Sequence, residues 1–285
     1  MNKKENLGKS ALFAATLIWG TSFVVLKNAI DSVPFGWVLF IRFLLAAALM
    51  FLFSGKSIRE LDREGIKGGI LLGICNGLAY IVQTIGLLYT TPGKNAFLTA
   101  STCVLVPFLA WLAYKRRPKK INILAAVICF TGIGFISLEN GFGHVNIGDI
   151  ITVFCGIFYG LVIVIMENYS SKYNVTHLSA VEFLTAALIC LIPALLGGAF
   201  TRQLGTAVWL QILYLSLICT GIAFFLQAYG LKYTPSSPAA VILTFESVFG
   251  VIFSVIIYHE KITAMLFIGF CLVFLSVILN EVLNK

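Results

Sequence analysis

Ten apolar stretches, each about as long as a bilayer is thick, constrain this chain more than anything else in it. They run roughly over 8–29, 35–53, 66–88, 94–114, 121–138, 147–166, 177–198, 208–231, 237–258 and 262–280. A helix needs about 20 apolar residues to cross about 30 Å of hydrocarbon. The runs are continuous rather than alternating, which excludes a β-barrel. Short loops rich in turn residues separate them, such as Asp31-Ser32-Val33-Pro34, Thr91-Pro92-Gly93 and Pro235-Ser236-Ser237-Pro238. Only 11% of the residues are charged and 59% are hydrophobic, against about 25% charged in soluble domains. One soluble core cannot hide that much apolar surface, so the bilayer is the solvent. The predicted fold class is an all-α integral membrane protein with ten transmembrane helices.

The chain contains itself twice. Residues 74–114 lie on residues 218–258 without a gap, pairing Cys75 with Cys219, Gly77 with Gly221, Tyr80 with Phe224, Gln83 with Gln227, Gly86 with Gly230 and Tyr89 with Tyr233. An upstream pair of stretches repeats at an offset of 140, where Gly20 meets Gly160, Trp19 meets Tyr159, Arg42 meets Glu182 and Phe43 meets Phe183. Matches at Gln, Cys, Tyr and Gly do not arise from apolar composition alone. Two fused copies of one unit, 1–140 and 141–285, are the simplest account.

Lys and Arg set the orientation. With the N-terminus in the cytoplasm, inside segments carry fifteen of them and outside segments only Lys94, Arg202 and Lys261. The net charge of +8 is therefore topological, and no nucleic-acid partner is expected. Ten spans return the C-terminus to the cytoplasm. Five spans per copy is odd, so the second copy enters the membrane inverted, a plan common among secondary transporters. The apolar run after Lys3 and Lys4 is too long for a signal peptide and has a repeat partner, so it reads as a retained span. The expected location is the bacterial inner (plasma) membrane.

Small-residue stripes mark close helix contacts: Gly69, Gly73 and Gly77 in span 3, Thr152, Gly156 and Gly160 in span 6, Thr16 and Gly20 in span 1. The seven cysteines all lie in apolar segments without a CxxC pair and read as free core residues. The histidines, His144, His177 and His259, have no metal-ligand spacing. No catalytic grouping and no cofactor or metal motif is expected.

The polar residues inside spans are the candidate path. They are Ser22, Asn76, Tyr80, Gln83, Thr99, Thr102, Tyr159, Thr220 and Gln227, with Trp19 and Phe224 as cavity walls. Gln83 and Gln227 form a symmetric pair, as do Asn76 and Thr220, serving either as hydrogen bonds between helices or as a substrate lining. Charged candidates are Arg42 and Glu246, with Glu182 as the repeat partner of Arg42. A charge at this depth costs about 2.5–3.5 kcal/mol on insertion scales. Arg42 and Glu182 sit near the starts of their spans, where they can snorkel or cap carbonyls, while Arg42 can also attract an anion. Glu246 lies nine residues past Ser237, about 13 Å into a helix, near mid-bilayer. Its repeat partner, Thr102, cannot ionise. Glu246 is either a proton carrier or a structural lock bonded to a neighbouring helix. The expected partners are a small-molecule substrate, the lipid bilayer and protons, and the expected state is a monomer or weak homodimer.

The segment Ala15-Thr16-Leu17-Ile18-Trp19-Gly20-Thr21-Ser22-Phe23, followed by Arg42-Phe43-Leu44-Leu45, resembles the first two spans of the EamA family of the drug/metabolite transporter superfamily. Gln83 through Thr99 and Val104-Leu105-Val106-Pro107 are similar to its third and fourth spans, and Phe245-Glu246-Ser247-Val248-Phe249 with His259-Glu260-Lys261 to its ninth span and the acidic turn after it. Two departures stand out: Ser247 replaces a common proline, and Arg116 is the first-half equivalent of Glu260. The resemblance implies alternating access through a cavity between two five-helix halves, lined mainly by spans 1, 3, 4, 6, 8 and 9. It implies a small metabolite, commonly an amino acid or related solute, usually exported. An intramembrane enzyme acting on lipid or isoprenoid is the alternative.

Overall fold

The computed structural model describes residues 3–115, 117–138, 146–198, 200, 204–234 and 236–282. Arg116, His144, Arg202 and Pro235, used in the sequence reading, lie outside them. Every described element is helical: α1 Lys3–Ile30, α2 Phe35–Ser54, α3 Arg63–Tyr89, α4 Pro92–Ala100, α5 Thr102–Tyr114, α6 Lys120–Ser137, α7 Ile147–Ser170, α8 Val175–Leu196, α9 Thr206–Leu213, α10 Ala223–Tyr233, α11 Ser236–Tyr258 and α12 Ala264–Val282. A π-helical segment, Tyr214–Ile222, joins α9 to α10, and a short 3-10 turn, Gly55–Glu60, follows α2. Among the described residues, eight helical rods are long and apolar enough to cross a membrane, and Ile242–Tyr258 and Ala264–Asn280 are shorter apolar helices.

Helix ends follow local chemistry. Asp62 caps α3 by accepting from the Gly65 amide at 2.8 Å, Asn146 caps α7 through the Gly148 amide at 2.7 Å, and Asn174 caps α8 through the Thr176 amide at 2.9 Å. Thr91 precedes Pro92 at the start of α4, where a missing N–H costs nothing. Two of the expected spans are not plain helices. The fourth breaks at Ser101, whose hydroxyl turns back to the Leu98 carbonyl at 2.6 Å. The eighth widens into the π segment, where Thr220 donates to the Leu215 carbonyl at 2.9 Å, five residues back.

The bundle is assembled by small-residue seams. α3 lies against α7 and α8, α1 against α10 and α11, α2 against α8, and α6 against α12. A methyl group at Gly73 would sit 2.4 Å from the Glu182 carbonyl oxygen, and one at Gly69 2.6 Å from Val181 Cβ, so the stripe on α3 seats α8. Likewise Gly20 faces Phe249 and Gly250 of α11, and Gly160 faces Leu109 of α5. The largest apolar cluster gathers Phe43, Phe183, Leu39, Leu215 and Cys219 around the α2–α8 contact.

Candidate functional site

Six rings follow one another in contact from Trp19 to Tyr159. Trp19 and Phe224 have centroids 5.5 Å apart, Phe224 and Phe183 5.2 Å, Phe183 and Phe43 6.0 Å, Phe43 and Tyr80 4.9 Å, and Tyr80 and Tyr159 5.5 Å. Replacing each residue by its repeat partner turns the line end for end: Trp19 becomes Tyr159, Phe224 becomes Tyr80, Phe183 becomes Phe43. The ring planes follow the same relation, tilted by 74° and 76° in the outer pairs and by 84° and 89° in the next. Edge-on rings at this spacing favour the contact beyond simple burial.

The second feature is a set of half-buried polar and aromatic side chains, among them Tyr80, Tyr159 and Glu246. Trp19, Ser22, Thr99, Phe224 and Gln227 are half-buried too. A hydrogen-bonded run starts from Tyr159. The Tyr159 hydroxyl donates to Gln83 Oε1 at 2.8 Å, and Gln83 Nε2 donates to Thr99 Oγ1 at 2.9 Å. Thr99 donates to the Asn95 carbonyl at 2.7 Å, and Asn95 Nδ2 donates to Thr152 Oγ1 at 2.8 Å. Trp19 Nε1 donates to the Cys219 carbonyl at 2.8 Å. Gln83 is thus committed to this run, whereas Gln227 and Ser22 make no side-chain hydrogen bond among the described residues. Thr102 is buried beside Gly156, with its hydroxyl unpartnered.

Arg42 and Glu182 do not snorkel. Their exposures are 1% and 0%, because α2 and α8 pack face to face and leave neither side chain a route to the headgroups. Arg42 crosses instead to the π segment, and Glu182 to α3. Arg42 Nε donates to Thr220 Oγ1 at 2.8 Å, and Asn76 Nδ2 donates to Glu182 Oε1 at 2.7 Å. These are one contact made twice, with donor and acceptor exchanged. Arg42 also donates from Nη2 to the Tyr80 hydroxyl at 3.3 Å and stacks over that ring at 4.7 Å. Glu246 makes no hydrogen bond to any described residue, so the lock anticipated for it has no partner there.

Sequence reasoning missed three residues of this region, and gave Glu260 no partner. Phe43 and Phe183 were visible as a repeat pair, but nothing marked them as the middle of the aromatic line. Asn95, 0% exposed, is an amide in an apolar span and could have been found by that mismatch. Glu260 closes the acidic turn onto α4, accepting from the hydroxyls of Thr91 and Ser254 and from the Gly93 amide at 3.2 Å. A carboxylate suits a helix N-terminus.

This geometry defines a multi-pass helical membrane protein. The profile of the EamA-like transporter family matches residues 6–138 and again 146–281, and the chain belongs to that family. An uncharacterized transporter of Archaeoglobus fulgidus is 36% identical over 94% of this chain and 83% of its own length. A biotin transporter of Salmonella typhimurium is 21% identical over 88% of this chain and 85% of its own. One solved crystal structure shares the fold, with a TM-score of 0.69 at 16% identity, covering 97% of this chain and 98% of its own.

Proposed function

We propose that the protein is a secondary transporter that exports small organic solutes across the bacterial inner membrane by alternating access, with both termini cytoplasmic. In this reading its ten spans form two inverted five-helix repeats, 1–140 and 141–285, and the cavity between them carries the solute. The observation that carries the reading is the symmetric aromatic series with half-buried polar residues beside it. The helix contacts support it, because they exchange under the repeat. α3 on α7 corresponds to the α9–α10 rod on α1, α3 on α8 to the π segment on α2, and α2–α8 and α6–α12 map onto themselves. The double match of the family profile supports the same division.

The path residues are Trp19, Ser22, Asn76, Tyr80, Gln83, Thr99, Thr102, Tyr159, Thr220, Phe224 and Gln227, with Arg42 and Glu246 as the charged members. Glu246 carries a proton during the cycle. The enzyme alternative lacks support, since the described path residues set no nucleophile beside a base. The test is flux into liposomes with labelled amino acids, nucleosides and biotin, the last because of the relative named for it. Saturable, protein-dependent flux of any of them is the expected result. No flux above empty liposomes for any solute, from folded protein, contradicts transport.

A further inference from the structure

We propose that Glu260 latches the outer end of the path by holding α11 against α4, and that the protein rests closed to the outside because the repeat-equivalent positions at the cytoplasmic end carry no such latch. The proposal rests on the transport reading above and on its orientation, and adds how the outer end is held.

α11 ends at Tyr258, and His259 turns the chain through a left-handed conformation with φ 52°. Glu260 then folds back onto two helices. It accepts from the Thr91 hydroxyl and the Gly93 amide of α4, the latter at 3.2 Å, and from the Ser254 hydroxyl of α11. Thr91 is itself the cap of α4, accepting from the Lys94 amide at 3.3 Å. The carboxylate thus sits at the positive end of α4, and bonds to a charged acceptor are stronger than neutral ones. The fit is close: a Cβ at Gly93 would lie 2.6 Å from Glu260 Oε2. Further along the same seam Gly250 seats α11 on α4, where a Cβ would lie 2.5 Å from Ala96 Cβ. The Tyr258 hydroxyl donates to Asn28 Oδ1 of α1 at 2.5 Å. The outer end of α11 is therefore tied to α4 and α1 together. Thr99 and Glu246, the path residues on α4 and α11, lie one turn inward of Ala96 and Gly250. The latch stands between them and the outer face.

The repeat shows what the other end lacks. Lys115 takes the place of His259 and has the same left-handed conformation, φ 58°, so the turn is made twice. The residue after it is Arg116, and a guanidinium accepts no hydrogen bond. In the sequence Pro235 stands for Thr91 and Ala110 for Ser254, which removes both hydroxyls, and Val106 stands for Gly250, which removes the close approach. The packing is unequal too. α11 runs along α4, whereas α5, beyond the break at Ser101, runs along α7. Opening the outer end must break the bonds of Glu260, and the sequence provides that latch at this end alone.

The test needs no solute. In a cysteine-free full-length protein, Thr99→Cys places one thiol just inside the latch, and intact cells are treated with an impermeant thiol reagent. This parent is expected to react slowly. Adding Glu260→Ala or Gly93→Ala should speed labelling about tenfold or more, the effect of losing one charge-assisted hydrogen bond. Ser254→Ala removes a single donor, is the mildest change and should give a smaller rise in the same direction. In purified protein in nanodiscs, spin labels at Leu88 and Lys261 should gain a longer-distance population in each variant. A protein retaining only Cys190, buried on α8, reports unfolding and should stay unreactive with or without Glu260→Ala. Equal labelling of the parent and the latch variants overturns the proposal. So does a Cys190 thiol that becomes reactive in step, or a rise seen only in inverted vesicles. Flux is measured separately, so a protein whose outer end opens in this way but moves no solute would sink the transport reading and uphold the latch.

Discussion

Adding one methyl group at Gly73 should pry α3 from α8. The new Cβ would lie 2.4 Å from the Glu182 carbonyl oxygen and 2.4 Å from Thr185 Cβ, where ordinary contact is about 3.5 Å. The seam must open by about 1 Å, and the nearest obstacle is backbone, which cannot rotate away. Overpacking of this kind costs about 1–3 kcal/mol, and alanine returns about 0.5–1 kcal/mol of helix propensity. The net loss for Gly73→Ala is about 1–2 kcal/mol. Gly134 on α6 is the matched control: a Cβ there meets nothing within 4 Å, so Gly134→Ala should be neutral or gain up to about 1 kcal/mol. The assay is reversible unfolding of each variant by SDS titration from mild detergent, followed by tryptophan fluorescence. If Gly73→Ala unfolds at the same SDS fraction as Gly134→Ala, the close seam is not there and the argument fails.

The lysine and arginine asymmetry predicts that single cysteines replacing Asn2 or Asn284, in a cysteine-free background, resist an impermeant thiol reagent in intact cells while one replacing Gly143 reacts; the opposite pattern reverses the orientation. Gln83→Ala breaks the Tyr159–Gln83–Thr99 run and should lower folded yield as well as transport, whereas Gln227→Ala should alter solute affinity at normal yield; equal effects on yield would remove the distinction between them. At the surface, the Gly65 amide and then the Tyr173 hydroxyl hold the Asp62 carboxyl below the usual carboxylate range. A depressed value in the folded state gives stability that is present above the unfolded-state value and lost as pH falls through the folded one. Acidification should therefore destabilise wild type more than Asp62→Asn, and parallel melting-versus-pH curves would refute this.

Most of the helical layout was legible because length and continuity of apolar runs are themselves the physical requirement for spanning a bilayer. The Gly69–Gly73–Gly77 stripe pointed to a seam, and the structure supplies α8 as the partner. Trp19 and Phe224 stood out by aromatic type, and Tyr80 and Tyr159 as polar groups inside apolar spans. What a linear pattern could not give was pairing between copies. Arg42 was matched to Glu182 and Asn76 to Thr220, but the structure joins Arg42 to Thr220 and Asn76 to Glu182. Snorkelling was anticipated because it depends only on distance from a span's end, whereas burial depends on which helix packs there. The break at Ser101 and the π segment around Thr220 escaped because both arise from a hydroxyl competing for a carbonyl one turn back, which apolar periodicity does not record.

The central claim is that Glu246 moves a proton through a transport cycle, and Glu246→Gln in liposomes tests it most directly. Solute uptake is followed with and without an imposed pH gradient, alongside solute-for-solute exchange at equal pH. The account predicts that gradient-driven accumulation disappears while exchange persists at a rate near that of wild type. Full gradient-driven accumulation by the variant, with an unchanged pH profile, would contradict it, and joint collapse of exchange and folded yield would show that Glu246 holds the bundle together instead.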